Sequence, residues 1–222
     1  MNYAIETARS VQVADMLLSM VGIEGSAGHR YPLSDELTSG REAVRNLADA
    51  CHYLCVLHGR FPGVIDHAAK GTVHPAARGW LAAAADAFAA ERVLLTKLAV
   101  ATGPVPSTPG QAQSEAAVLQ QCNALETLAC SERAGCALGA AFALALDWAA
   151  VRAVLEAAAR RVSIAPGDCA LPNEEETRTV AMIVAETPSF ERAMSFGAQQ
   201  LLAQQRGLWD LLEARQQARA RV

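Results

Sequence analysis

The sequence predicts an all-α fold, a single-domain antiparallel bundle of about seven or eight helices, and three observations lead to this prediction. The nine prolines fall between segments with helical spacing of apolar residues and not inside them, as expected because proline breaks a helix interior. Alanine-rich stretches such as residues 79–90 favour helix. Long runs of alternating β-branched residues, which favour strands, are absent from the sequence. With 52% hydrophobic residues, the chain can bury one core, so we expect residues 1–222 to form one domain.

The prolines and the apolar spacing also set the limits of the elements. Candidate helices lie, in chain order, at residues 4–22, 34–59, 63–70, 75–102, 110–129, 132–162, 174–186 and 188–219. Start signals support the last two of them. Asn173 precedes three glutamates, as an N-cap before an acidic first turn, and Thr187 precedes Pro188, as an N-cap before proline at the first helical position.

The segment 132–162 is expected to be the central helix. Its first half is apolar on nearly every face, and a helix that is apolar all round belongs in the middle of a bundle. Gly135 and Gly139 lie four residues apart and should let a neighbouring backbone approach closely. The apolar run of this segment ends at Asp147 and is shorter than the roughly 20 residues that a bilayer requires, so no membrane span is expected.

Charge and composition bound the class of partner and the compartment. A formal net charge of -4 gives no general attraction to nucleic acid or to anionic lipid. The start of the chain lacks the basic and apolar regions of a secretory signal, and the six cysteines form no CxxC pair. We therefore expect a cytoplasmic protein with reduced thiols. Arg215, Arg219 and Arg221 near the end of the last helix are interpreted as cations that complement the helix dipole.

Two carboxylates interrupt apolar helix faces and raise the question of a metal. Glu91 occupies a position in the apolar seam of helix 75–102, and Asp147 interrupts the most apolar helix. A buried carboxylate needs a cation, a metal or a proton, because leaving it unpaired costs several kcal/mol. For Glu91 the leading interpretation is a salt bridge to an arginine or a position near the bundle end where the side chain reaches water. For Asp147 it is structural pairing with a group on another helix. The metal alternative joins both to Glu126 and to Asp49 with His52, which lie three apart and could hold a metal together or form a hydrogen bond.

A metal centre of this kind fits a ferritin-like helix layout only incompletely. Di-iron bundles of that layout use two Glu-x-x-His pairs, and the sequence contains none. We therefore predict no cofactor, while an altered site for iron, manganese or zinc stays as the alternative.

The stretch from Asp49 to Lys70 is the other place where function could lie. It holds three of the five histidines and a tight turn, GRFPG, at residues 59–63. This turn should present polar side chains at one end of the bundle. Cys51, Cys55 and His58 share an apolar helix face and are interpreted as core. The residues that we expect to line a small-ligand site here are His58, Arg60, Asp66, His67 and Trp80.

No motif identifies an activity. The sequence has no phosphate-binding loop, dinucleotide fingerprint, HExxH, GxSxG or CxxCH. The leading hypothesis is a non-catalytic, soluble bundle with a binding or regulatory role, acting as a homodimer; the alternatives are the metal-dependent or redox bundle and the small-ligand bundle. An apolar stripe on the last helix could form the dimer face or belong to the core; it comprises Phe190, Met194, Leu201, Leu208 and Leu212. The three tryptophans, Trp80, Trp148 and Trp209, could likewise form the dimer face or belong to the core.

Overall fold

The computed structural model describes the backbone of residues 2–221 and the side chains of residues 9–221. Within this range the protein is all-helical and has no strand. The helices are α1 (Asn2–Glu24), α2 (Asp35–Thr38), α3 (Ala43–His58), α4 (Val64–Gly71), α5 (Pro75–Ala101), α6 (Gln111–Ala129), α7 (Cys136–Arg161), α8 (Glu174–Val184) and α9 (Pro188–Ala220). A single 3-10 turn, Ser26–Gly28, follows α1.

The helix starts read from the sequence are confirmed at α8 and α9. Asn173 accepts a hydrogen bond from the Glu176 amide, whose carboxylate accepts one from the Asn173 amide, so the two form a capping box. Thr187 accepts from the Phe190 amide, and Pro188 occupies the first turn of α9. These caps were readable because each is formed within four residues of sequence.

Two predicted limits were wrong for local reasons. The segment 34–59 is not one helix, because α2 ends at a tight turn in which the Gly40 amide donates to the Asp35 carbonyl, and the chain begins a new helix at Ala43. The central helix begins at Cys136 and not at residue 132. Gly135 precedes it with φ of 97°, a left-handed conformation that favours glycine.

The helices pack in mixed directions. Antiparallel packing, as expected, relates α3 to α9: His58 meets Gln205 at one end and Asp49 meets Arg215 further along. In contrast, α5 and α7 run parallel. Trp80 contacts Phe142, and Phe88 contacts Trp148, so the contacts advance together along both helices. These two neighbours can be parallel because α6, which lies between them in the sequence, returns the chain to the end of the bundle at which α5 begins.

Helix α7 is the centre of the bundle, as the sequence predicts, and packs against each of the other α-helices. By length and composition it could cross a membrane, but 78% of its most apolar 18-residue window is buried inside the bundle. This burial is typical of the core helix of a soluble protein, with which the structure is compatible.

Close backbone packing joins α7 to α9. A Cβ atom on Gly139 would overlap the Met194 carbonyl, and one on Gly197 would overlap the Cys136 carbonyl. The predicted packing role of Gly139 is thus confirmed. The apolar stripe of α9 faces this contact: Met194, Leu201, Leu208 and Leu212 are buried, and Phe190 packs against the same core. The stripe and the three tryptophans therefore belong to the core and leave no dimer face there.

Candidate functional site

Asp49 lies in a buried ion-pair cluster. Its carboxylate accepts from Arg215 at 3.1 and 2.9 Å and from Arg219 at 2.5 Å. The Arg215 guanidinium and the Asp49 side chain are 2% and 1% exposed. Arg219 also donates to Asn46 and to Thr108. Arg219 does lie in the last turn of α9, but the interpretation that Arg215 and Arg219 need no partner was wrong, since both bind a carboxylate on α3.

Glu91 is paired inside the bundle. One carboxylate oxygen accepts from Arg152, and the other accepts from the Trp148 indole at 2.9 Å. Arg152 donates in addition to the Pro166 and Gly167 carbonyls of the segment that follows α7. The structure thus places a salt bridge at Glu91, and this bridge ties the 162–173 connection to the core.

Asp147 is buried among neutral donors. It accepts from the amide and from the hydroxyl of Ser26, both at 2.6 Å. The Trp209 indole donates to the same hydroxyl at 2.8 Å. Burial raises the pKa of Asp147, although the two hydrogen bonds from Ser26 act in the opposite direction. Asp147 therefore has a partner on another element, as expected, but this partner is neutral and fixes the 3-10 turn after α1.

The remaining metal candidates lie elsewhere. The ring of His52 bonds the Gly103 carbonyl at 2.6 Å and contributes to holding the loop between α5 and α6. Glu126 is exposed on α6. No hydrogen bond joins Asp49 to His52 in the described part of the chain, because each side chain has other partners. Throughout residues 9–221, no three or more His, Cys, Asp or Glu side chains are grouped so that they could hold a metal.

A cavity of about 310 Å³ opens at the end of the bundle where the GRFPG turn lies. Side chains from α3, α4, α5, α6 and α7 surround it. Its apolar wall is formed by Leu57, Val64, Phe88, Leu125 and Leu144. Its polar lining is formed by His58, Arg60, His67, Cys122 and Glu126. Three of the five residues predicted for a ligand site, His58, Arg60 and His67, are therefore brought together.

The GRFPG turn at the cavity mouth is stabilised by Asp66 and Arg92. The Gly63 amide donates to Asp66 at 2.8 Å, and Arg92 donates to the two oxygens of Asp66 at 2.8 and 3.1 Å. The Arg92 guanidinium also lies 5.4 and 5.3 Å from the ring centres of Phe61 and Phe88. The Phe61–Pro62 bond is cis. Asp66 thus supports the turn and does not line the cavity, in contrast to its predicted role.

His58 is the most constrained polar group of the cavity. Its Nε2 donates to the Gln205 side-chain oxygen at 2.7 Å, and its ring stands edge-on to Trp148 with ring centres 5.5 Å apart. Burial lowers the pKa of His58 to about 4, and the Gln205 hydrogen bond opposes this only in part. The imidazole is therefore neutral at pH 7. Because Nε2 carries the proton, Nδ1 is left as an acceptor with no protein partner in the described chain.

Arg60 supplies a free charge at the mouth. It is exposed, and no hydrogen bond or ion pair involves it within the part of the chain that the structure describes. Phe61 beside it is 78% exposed. Deeper in the site, the Cys122 thiol donates to the Val56 carbonyl at 3.3 Å. The cavity thus combines an apolar wall, a neutral imidazole and one unpaired guanidinium.

Trp80 lies outside this site. Its indole donates to Thr177 on α8 at 3.1 Å, and its ring packs edge-on against Phe142. The prediction of Trp80 as a ligand contact is not met, because the α5 face that carries it turns towards α8. Gln205, the partner that orients His58, was not predicted. Its only signal would have been a polar residue within an apolar helix face, since its partner is 147 residues away.

The fold and the cavity define an all-α helical bundle that is locked by buried ion pairs and is open at one end. The chain belongs to a family of unknown function, DUF6975, whose model matches residues 21–220. No curated protein and no solved structure matches the chain.

Proposed function

We propose that the protein is a non-catalytic bundle that binds a small apolar carboxylic acid in the cavity beneath the GRFPG turn. The observation that carries this proposal is the unpaired Arg60 at the mouth of a cavity whose wall is apolar. A concave apolar site with few polar groups is the usual form of a ligand pocket, and 310 Å³ lies at the lower end of the common range.

The charges of the site favour an acid over a base or a neutral ligand. A carboxylate at the mouth would pair with Arg60, and the planar guanidinium can bind its two oxygens at once. Glu126, which also lines the cavity, would repel a second negative charge, so a monoacid is favoured over a diacid. The buried His58 is neutral at pH 7 and offers an acceptor to a hydroxyl or amide group of the ligand.

The test compares phenylacetate with phenylacetamide, which has nearly the same shape but no charge. Binding is measured by isothermal titration calorimetry and by the rise in melting temperature. We expect the acid to bind about fivefold more tightly than the amide, equivalent to about 1 kcal/mol for a partly exposed ion pair. Arg60→Gln should abolish this preference.

Arg41→Gln is the matched control, because Arg41 is also exposed and lies on the loop after α2, outside the cavity lining. It should leave the preference for the acid unchanged. Equal binding of acid and amide to the wild type, or an Arg60→Gln variant that keeps the preference, would disprove the role of Arg60. Absence of any binding by either compound would count against a cavity for small aromatic acids.

We also propose that the protein acts in the cytoplasm as a homodimer. All six cysteines are free, which supports a reducing compartment. The support for a dimer is a groove between α1 and α9 in which Met16 and Phe196 are each 42% exposed. Light scattering should give the mass of two chains, and Phe196→Ser should shift it towards one chain, whereas Val100→Ser, at a site 78% exposed on α5, should not.

A further inference from the structure

The six thiols of the chain differ sharply in their surroundings. Cys51 is buried, and burial raises its pKa to about 12. Cys136 is also buried, and Cys122 is buried with its thiol donated to a carbonyl. Cys169 is exposed, but partial burial of its thiol raises its pKa, and the neighbouring Glu91 acts in the same direction. These four thiols are therefore poor nucleophiles at pH 7, and a fifth, Cys55 on α3, is partly buried.

Cys130 has a different environment. It is exposed at the end of α6, and its sulfur lies 3.7 Å from Nδ1 of His67 on α4. His67 lines the cavity, as does Ala129, the neighbour of Cys130 in the chain. A thiol at the carboxyl end of a helix gains no help from the helix dipole, which disfavours a thiolate there. The imidazole is therefore the group that can take the proton from this sulfur.

We propose that Cys130 and His67 form a reactive thiol–imidazole pair on the cavity rim, a covalent attachment site for small α,β-unsaturated carbonyl compounds. The proton of the Cys130 thiol moves to Nδ1 of His67. The sulfur then forms a bond with the β-carbon of the electrophile, and the carbon–carbon π pair moves onto the α-carbon and carbonyl as an enolate. The proton returns from His67 to the α-carbon, so the product is a thioether and no oxidant is needed.

The cavity supports this choice of electrophile. Its wall is apolar, and its lining includes the cation of Arg60, which can stabilise an enolate oxygen that reaches it. The charged or titratable groups that share the cavity with His67 are Arg60, Glu126, the Cys122 thiol and the neutral His58. Asp66, next to His67 in the chain, is engaged by Arg92. The attachment site does not depend on the proposed binding of carboxylic acids, because it needs only the pair itself.

The test is limited labelling of the native protein with N-ethylmaleimide, an α,β-unsaturated carbonyl reagent, followed by mass-spectrometric mapping of each cysteine. At pH 7 we expect Cys130 to react about tenfold or more faster than Cys169, the other exposed thiol, because only a few per cent of an ordinary thiol is ionised there. His67→Gln should lower the rate at Cys130 by about tenfold and leave the rate at Cys169 unchanged.

Two controls separate this proposal from simple exposure. Lys70 is exposed on the same helix as His67, and Lys70→Gln should leave the rate at Cys130 unchanged. In the His67→Gln variant the rate at Cys130 should fall to about that at Cys169 under the same conditions. Equal rates at Cys130 and Cys169, or a His67→Gln variant that is folded by circular dichroism and reacts like the wild type, would overturn the proposal.

Discussion

Asp49 on α3 and Arg215 on α9 face each other through two hydrogen bonds of 2.9 and 3.1 Å, although 166 residues separate them in the chain. Arg215 also donates to the Pro106 carbonyl and to Thr108, so the same guanidinium fixes the loop between α5 and α6. Arg219 adds a second cation to Asp49. One carboxylate therefore joins two helices and a loop.

Replacement of Asp49 by Asn should be strongly destabilising. It leaves the two buried guanidiniums without a counter-charge, and breaking a buried pair in this way costs about 3–5 kcal/mol. Urea denaturation should show this loss, and limited proteolysis should show new cleavage within residues 102–110. Asp86→Asn removes an exposed carboxylate from α5 and should stay within about 0.5 kcal/mol of the wild type. Similar stability of the two variants would contradict the role of the cluster.

The pair of Glu91 and Arg152 should show strong coupling. Glu91→Gln leaves a buried cation, and we expect a loss of about 3–5 kcal/mol in the free energy of unfolding. The double change Glu91→Leu with Arg152→Leu removes both charges and should recover most of that loss, because apolar groups of similar size can replace a buried pair. Denaturation followed by tryptophan fluorescence, with the single variants Glu91→Leu and Arg152→Leu measured beside the double variant, gives the double-mutant cycle. Simple additivity of the single losses would argue against the pair.

Protonation of His58 should destabilise the protein in acid. The pKa is about 4 in the native state against an ordinary value of 6.5 for histidine, so above pH 6.5 both states are neutral and stability is full. As the pH falls from 6.5 to 4, the unfolded state binds the proton and the native state does not, and about 3 kcal/mol is lost. Asp147, whose pKa is raised by burial, acts in the opposite direction, because protonation relieves its buried charge.

Urea denaturation at several pH values between 7 and 4 measures this loss. His58→Gln can still donate to Gln205 but does not titrate, so its stability should fall less steeply than that of the wild type over this range. His74→Gln, which removes an imidazole that pairs with the exposed Glu186, should retain the wild-type slope. Equal slopes for the wild type and His58→Gln would show that another group governs the acid response.

The sequence predicted the helices and their caps better than it predicted which helices and side chains contact one another. The caps at Asn173 and Thr187 were readable because cap and helix are adjacent in the chain. Glu91 and Asp147 were singled out because they interrupt apolar seams, but their burial and their partners, Arg152 and Ser26, were not determined from the sequence. Such pairs depend on how distant helices dock, and helical spacing does not encode docking. The parallel course of α5 and α7, and the position of Trp80 outside the cavity, were missed for the same reason.

The contact between α7 and α9 gives the most direct test of the packing. Gly139→Ala places a methyl group against the Met194 carbonyl, which is backbone and cannot move aside as a flexible side chain could. We expect a loss of about 3 kcal/mol or more, at or above the usual cost of overpacking. Gly79 is the matched control, since it is also inside a helix, α5, but nothing lies within 4 Å of its added Cβ. Gly79→Ala should raise stability by about 0.5–1 kcal/mol, because alanine loses less backbone entropy on folding. Thermal and urea unfolding should therefore move the two variants in opposite directions, and a Gly139→Ala variant as stable as Gly79→Ala would show that α7 and α9 are not in backbone contact.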